Sequence, residues 1–155
     1  MTKMPATSAE AFASMTGRDL LQAMLEGHLD GPGIGATLSF ALTEVDEGRV
    51  VFEGETGPHL LNPAGTVHGG WALALIDSAA GCAAHSLLPA GVGYSTLDTR
   101  CNFVRPIRVD TGRVRCEGRV VNHGRQIITA DAWVRDAEGR LLAHGGSTLM
   151  VLPLR

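Results

Sequence analysis

Residues 68–86 read HGGWALALIDSAAGCAAHS, and the fold follows from how that stretch is filled. Trp71, Leu73, Leu75, Ile76, Ala79, Ala80, Cys82 and Ala83 fall on every azimuth of a helix, so the helix predicted over residues 71–86 has no wet face. A helix apolar on all sides must be wrapped by other structure, and one sheet curled around it does this economically. A single charged side chain, Asp77, stands inside it. Aspartate is a poor interior helix former, and its carboxylate is costly to bury without compensation. It is either a structural acid, salt-bridged or reaching solvent, or a carboxylate kept for nucleophilic or general-base work.

The start of the helix supplies a second feature. Gly69 and Gly70 carry no side chains, so a substrate can approach the first-turn N–H groups, which also sit at the positive end of the helix dipole. Such donors suit a carbonyl oxygen that gains negative charge. Two glycines can equally serve only to permit a tight turn. The separation is informative: Asp77 lies eight positions after Gly69, about 12 Å of helical rise. A single carbonyl needs both contacts at about 3 Å, so one helix cannot supply both. If both groups serve one substrate they come from two chains, which predicts a homodimer with two equivalent sites.

On either side of the helix the period changes. Ala36, Leu38, Phe40 and Leu42 fall on one face, with Thr37, Ser39 and Thr43 on the other, which predicts a strand from residue 36. Asp46-Glu47-Gly48 reads as a turn, and Val50-Val51-Phe52 as the next strand. After Pro89 and Gly91 a run of strands is expected. Val114, Cys116 and Val120 alternate with Arg115, Glu117 and Arg119, and Ile128, Ala130, Ala132 and Val134 share a face. Turns at Asn122-His123-Gly124 and at residues 136–139 precede a last strand near residues 140–152. Short connections imply antiparallel pairing. Ahead of the first strand, Thr16 with Asp19 marks a helix start for Leu20 to Leu25. Gly31-x-Gly33-x-Gly35 is no dinucleotide loop, because Pro32 interrupts it and no strand precedes it. The expectation is a single α+β domain over residues 35–155, preceded by an extension over 1–34 with a short helix.

The 155 residues are 45% hydrophobic and 19% charged, enough for one core, and a net charge of −3 argues against nucleic acid as a partner. The sign is unevenly distributed. Residues 1–99 hold three basic and eleven acidic side chains, whereas 100–155 hold ten arginines and five acids. Arg100, Arg105, Arg108, Arg113, Arg115, Arg119 and Arg125 are either a solvated strand face or, in part, a cradle for a polyanionic small molecule. Cys82, Cys101 and Cys116 form no CxxC pair, and the six histidines show no ligand spacing, so neither a disulfide framework nor a metal is expected. No apolar run of membrane length and no leader-type segment is visible, which predicts a soluble, cytoplasmic protein with no membrane partner.

Asn62-Pro63-Ala64-Gly65-Thr66-Val67-His68-Gly69-Gly70 followed by Asp77 resembles the signature of hotdog-fold acyl-CoA thioesterases. It is closer to the branch holding the phenylacetate-degradation and 4-hydroxybenzoyl-CoA thioesterases. Asn102-Phe103-Val104-Arg105-Pro106 resembles that branch's F-x-R-P strand, and Gly124-Arg125 its basic turn. The resemblance covers roughly residues 35–152. It implies a sheet wrapped around the central helix and hydrolysis of an acyl-CoA thioester, aromatic or of short to medium chain. Coenzyme A is then part of the substrate, with no separate cofactor, and the assembly is a homodimer, joined as a dimer of dimers into a homotetramer. It further implies Asp77 as nucleophile or general base, Gly69 N–H as oxyanion donor, Asn62 orienting the water or the carboxylate, and His68 fixing the thioester end. Thr96, or Ser95 if the alignment slips, would assist Asp77. Gly70, Arg105, Pro106, Asn122, His123, Gly124, Arg125 and Ser147 would contact the nucleotide and pantetheine. The rivals are a hotdog hydratase acting on an acyl thioester and a non-catalytic acyl-CoA binding domain.

Overall fold

The computed structural model describes residues 9–153; the first eight residues of the expected extension, and residues 154 and 155, lie outside them. Two short helices come first, α1 (Ala9–Ser14) and α2 (Gly17–Leu25). Thr16 caps α2, its hydroxyl accepting the Asp19 N–H at 3.2 Å, as the Thr-x-x-Asp spacing predicts. The strand expected from Ala36 does not begin there. Residues Gly33–Leu38 instead form a helical turn and a half, α3, behind Pro32, and Ser39 ends it in the left-handed region with φ +58°. Four alternating residues are too few to separate the two periods. The chain is settled by a distant contact, the Trp71 indole N–H donating to the Leu38 carbonyl at 2.6 Å.

Strands β1 (Phe40–Asp46) and β2 (Arg49–Glu55) then pair across the predicted turn, where Gly48 adopts φ +70°. The central helix, α4, runs Gly69–His85. Four strands follow: β3 (Val92–Phe103), β4 (Arg113–His123), β5 (Ile127–Asp136) and β6 (Leu141–Pro153). All neighbours are antiparallel, in the order β1-β2-β4-β5-β6-β3.

The sheet curls around α4. Ala72, Leu75, Ile76, Ala79 and Ala83 are fully buried against Val50 and Phe52 of β2, Val114 and Cys116 of β4, and Ala132 and Val134 of β5. Burying each large aliphatic side chain of this set contributes about 1.5–3 kcal/mol. The closest approach is at Gly118 on β4, where a Cβ would stand 2.3 Å from the Ala79 carbonyl oxygen of α4. Only glycine lets the helix lie directly on that strand.

One strip of α4 is not covered. Leu73 is 36% exposed, and Ala74, Asp77 and Ser78 are half-buried. The expectation of a helix enclosed on every side therefore fails within one chain. The open strip runs beside β3, an edge strand whose Leu97 and Phe103 are 53% and 59% exposed.

Candidate active site

β3 lies antiparallel to α4 along this open seam. Phe103 rests over Gly69, where a Cβ would meet the ring at 2.8 Å, and Tyr94 rests on Gly81, with Thr96 and Thr99 between them. Both threonine hydroxyls donate to one oxygen of Asp77, Oδ1, at 3.1 Å from Thr96 and 2.9 Å from Thr99. Thr99 in turn shares a 2.9 Å bond with Ser147 on β6. No arginine, lysine or histidine among the described residues pairs with the carboxylate, so Asp77 is not a salt-bridged structural acid. The second oxygen, Oδ2, accepts no bond from the described residues. It is the one free to act.

Thr96 is thus where the resemblance put it, in bonding contact with Asp77. Thr99 escaped the sequence reading for a geometric reason. Residues three apart on a regular strand face opposite sides. Here Thr96 pairs with Leu149 and Asp98 with Thr148, leaving Leu97 as an extra residue, a bulge that turns both threonines inward. A polar residue of this kind so close to Asp77 is a signal, but without the bulge its face is misjudged. Ser147, expected at the nucleotide, is 1% exposed and belongs to this buried network; it is out of reach of any solvent-borne phosphate.

At the start of α4, His68 is the N-cap. Its Nδ1 accepts the Gly70 N–H at 2.9 Å, and its carbonyl accepts the Trp71 N–H at 2.9 Å. The Gly70 donor expected to face substrate is therefore occupied, which leaves the Gly69 N–H as the open first-turn donor. With Nδ1 accepting, a neutral His68 ring carries its proton on Nε2. Asn62 does not reach Asp77 in the same chain. Its Oδ1 accepts the N–H groups of Ala64 and Thr66 at 2.9 and 3.2 Å, and its Nδ2 donates to Thr66 Oγ1, bracing the loop that delivers His68 and Gly69. A cleft of about 340 Å³ opens beside this loop, lined by His68, Gly69, Phe103, Arg105 and Pro106 among others.

Arg105 and Pro106 sit at that cleft, although one Arg105 Nη bonds the Leu141 carbonyl at 2.7 Å. Asn122, His123, Gly124 and Arg125 form the β4–β5 hairpin, next to the C-terminal half of α4 where Ile128 packs on Ala80 and Ala84. Within one chain the two groups of expected nucleotide contacts are at opposite ends of the helix. Several arginines have other work. Arg115 binds Glu44, Arg119 binds Glu117, Arg113 approaches Glu53 at 3.6 Å, and Arg100 binds Asp131 at 2.9 Å. These four already have carboxylate partners. Burial, aided by the charge of Asp77, pushes the Cys82 thiol up to about 12, which disfavours the thiolate a nucleophile needs. No helix among the described residues is long and apolar enough to cross a membrane.

A helix held in a curled antiparallel sheet is the hotdog architecture, and here the helix carries a carboxylate with no ion-pair partner among the described residues. Residues 64–143 match the family model described as the thioesterase superfamily, and the chain belongs to that family, whose members hydrolyse thioesters. A Halobacterium salinarum protein provisionally named an esterase is 30% identical over 148 residues, 88% of this chain and 97% of its own. Among solved structures, a phenylacetic acid degradation-related protein from Ralstonia eutropha JMP134, provisionally named a thioesterase, superposes with a TM-score of 0.76 at 27% identity, covering 84% of this chain and 98% of that one. A Streptococcus mutans protein bound to acetyl CoA gives 0.68 at 25% identity, covering 76% and 91%.

Proposed function

We propose that the protein hydrolyses an acyl-CoA thioester to a free acid and CoA, with Asp77 of one copy acting on a carbonyl held by the Gly69 N–H of a second. The carrying observation is a half-buried carboxylate on an apolar helix whose only bonds, among the described residues, come from two hydroxyls on one of its oxygens. That leaves the other oxygen to attack the thioester carbon or to take a proton from water. The acetyl CoA on the S. mutans relative supports a CoA substrate.

The division between chains follows from the 12 Å or so of rise that separates Gly69 from Asp77. The open strip of α4 and the unpaired edge of β3 are the surfaces an antiparallel copy would cover. Such a copy brings its own Gly69, His68, Arg105 and Pro106 toward Asp77, and toward the hairpin at Asn122–Arg125. The two groups of nucleotide contacts, apart in one chain, then converge on one CoA. Within one chain no histidine among the described residues bonds Asp77, so a hydratase would have to draw its histidine from the second copy.

Complementation tests the reading. Asp77→Asn removes the attacking group. Gly69→Pro removes the donor at the first helical position, where proline is tolerated and where His68 already has the extended backbone proline requires. Gly69→Ala is the control for the added carbon against Phe103. Each of Asp77→Asn and Gly69→Pro should abolish thiol release from acetyl-CoA. Co-refolded in equal amounts they should regain about a quarter of wild-type activity, since half the dimers carry one intact site of two. Turnover by Asp77→Asn alone, or no recovery in the mixture, would overturn the assignment. CoA affinity with no turnover in the wild type would point to a binding domain instead.

A further inference from the structure

We infer that Leu73 of each copy meets its counterpart on the dimer's twofold axis, and that this pair is the shared end wall of both acyl pockets, so that each site takes short acyl groups. This rests on the two-chain site proposed above. When Asp77 of one copy serves the Gly69 site of the second, twofold symmetry makes Asp77 of the second serve Gly69 of the first. The two α4 helices then lie antiparallel, in a register fixed by those contacts. Position 73 is midway, four residues from Gly69 and four from Asp77, so Leu73 faces itself across the axis. Residues spaced by four share one face of a helix, and this face is the open one. Leu73 is 36% exposed there, beside the half-buried Ala74, Asp77 and Ser78. Trp71, Leu75 and Ile76 of the same helix are buried by their own chain, whereas Leu73 needs the second copy to cover it.

From the reacting carbon a substrate can run along the paired helices in two directions. Outward, past Asp77 toward Gly81, lie the expected nucleotide contacts. These are the hairpin at Asn122–Arg125 of one copy, next to the C-terminal half of its α4, and the cleft with His68 and Arg105 of the second. The phosphates of CoA must stay hydrated or paired with arginine, so the nucleotide half takes that direction. Inward lies the strip between the two sites, floored by Leu73 and Ala74 of one copy and roofed by the same residues of the second. The pocket is this uncovered strip itself, closed by pairing, and its apolar lining suits an acyl chain. Asp77 and Leu73 are separated by about 6 Å of rise, which is room for an acyl group of about four carbons before the leucine pair.

The test compares kcat/KM for straight-chain acyl-CoA substrates from acetyl to decanoyl in wild type, Leu73→Ala and Leu73→Val. The wild type should fall off steeply beyond butanoyl. Leu73→Ala should move the optimum to longer chains, gaining about fourfold per methylene newly accommodated. Leu73→Val trims less, so it stands in if the alanine variant does not assemble, and it should give a smaller shift in the same direction. An unchanged chain-length profile in assembled Leu73→Ala or Leu73→Val overturns the inference, as does a wild type already fastest on decanoyl-CoA. The axis is read in the mixed dimer of Asp77→Asn and Gly69→Pro, whose one working site takes Asp77 from one chain and Gly69 from the other. Leu73→Ala added to either chain alone should shift that site's profile equally, and a shift from only one placement refutes the shared wall. If the mixture is inactive without Leu73→Ala, the two-chain site itself is misassigned. If it is active and its profile ignores position 73, only the wall is wrong.

Discussion

Thr99→Val is the most direct probe of how Asp77 is held. Valine keeps the branched shape and removes only the hydroxyl, deleting the 2.9 Å bond to Asp77 Oδ1 and the 2.9 Å bond to Ser147. A hydrogen bond to a charged group is worth about 1.5–3 kcal/mol. If that interaction orients the carboxylate for reaction, its loss should lower kcat about 10- to 150-fold, with KM little changed. Ser147, 1% exposed, loses that partner in a dry setting, which costs about 1–3 kcal/mol and lowers Tm by about 2–4 °C for each. Thr99→Ser returns the hydroxyl and should recover most of kcat. Steady-state thiol release and calorimetry on the three proteins decide the matter. Should Thr99→Val stay within about twofold of wild type in kcat, or Thr99→Ser be as slow as valine, the hydroxyl does not position Asp77.

Gly118→Ala places a methyl carbon on the backbone of α4, and strain of at least the usual 1–3 kcal/mol should appear as a Tm loss of several degrees; an unchanged Tm would mean the helix can lift off β4 freely. Arg115, then Arg49, holds the Glu44 carboxyl down at about 2 against an ordinary 4.5. A depressed carboxylate contributes stability above its unfolded value and loses it as pH falls from about 4.5 toward 2. Because Glu44 is 39% exposed, Glu44→Gln should cost only about 1 kcal/mol near neutrality and nothing at the acid end, read from paired denaturant curves. His85 is buried with neither ring nitrogen bonded among the described residues, and burial lowers its pKa below 6.5. Its neutral form is fully compatible with the fold above that value, and stability falls as pH drops below it. His85→Leu should flatten this part of a Tm-against-pH curve, and an unaltered slope would show that His85 does not titrate on unfolding.

The sequence was a good guide where a single element carried the signal. The all-round apolar helix, its lone acid and the Gly48 turn each depend on neighbours a few positions away. Thr96 became legible only through resemblance, and the structure shows the contact. Three of the errors share one cause, that the deciding partner is distant in the chain. Leu38 is held helical by Trp71, and Arg115 is claimed by Glu44, 71 positions earlier. Ser147 is enclosed because β6 lies between β5 and β3. The half-open strip on α4 was missed for another reason: apolar residues on every azimuth do not show which of them the chain itself covers.

Leu97 bears on how this protein should be compared with its kin. As the supernumerary residue of the β3 bulge it adds length without changing which way its neighbours point. A relative whose strand is regular would present the same two hydroxyls two positions apart, not three. Ungapped comparison held in step at Thr99 would set the counterpart of Thr96 against Leu97. A single gap opposite Leu97 brings the two chains back into step, and losing that one codon should disturb the hydroxyl pair less than losing any other in the strand.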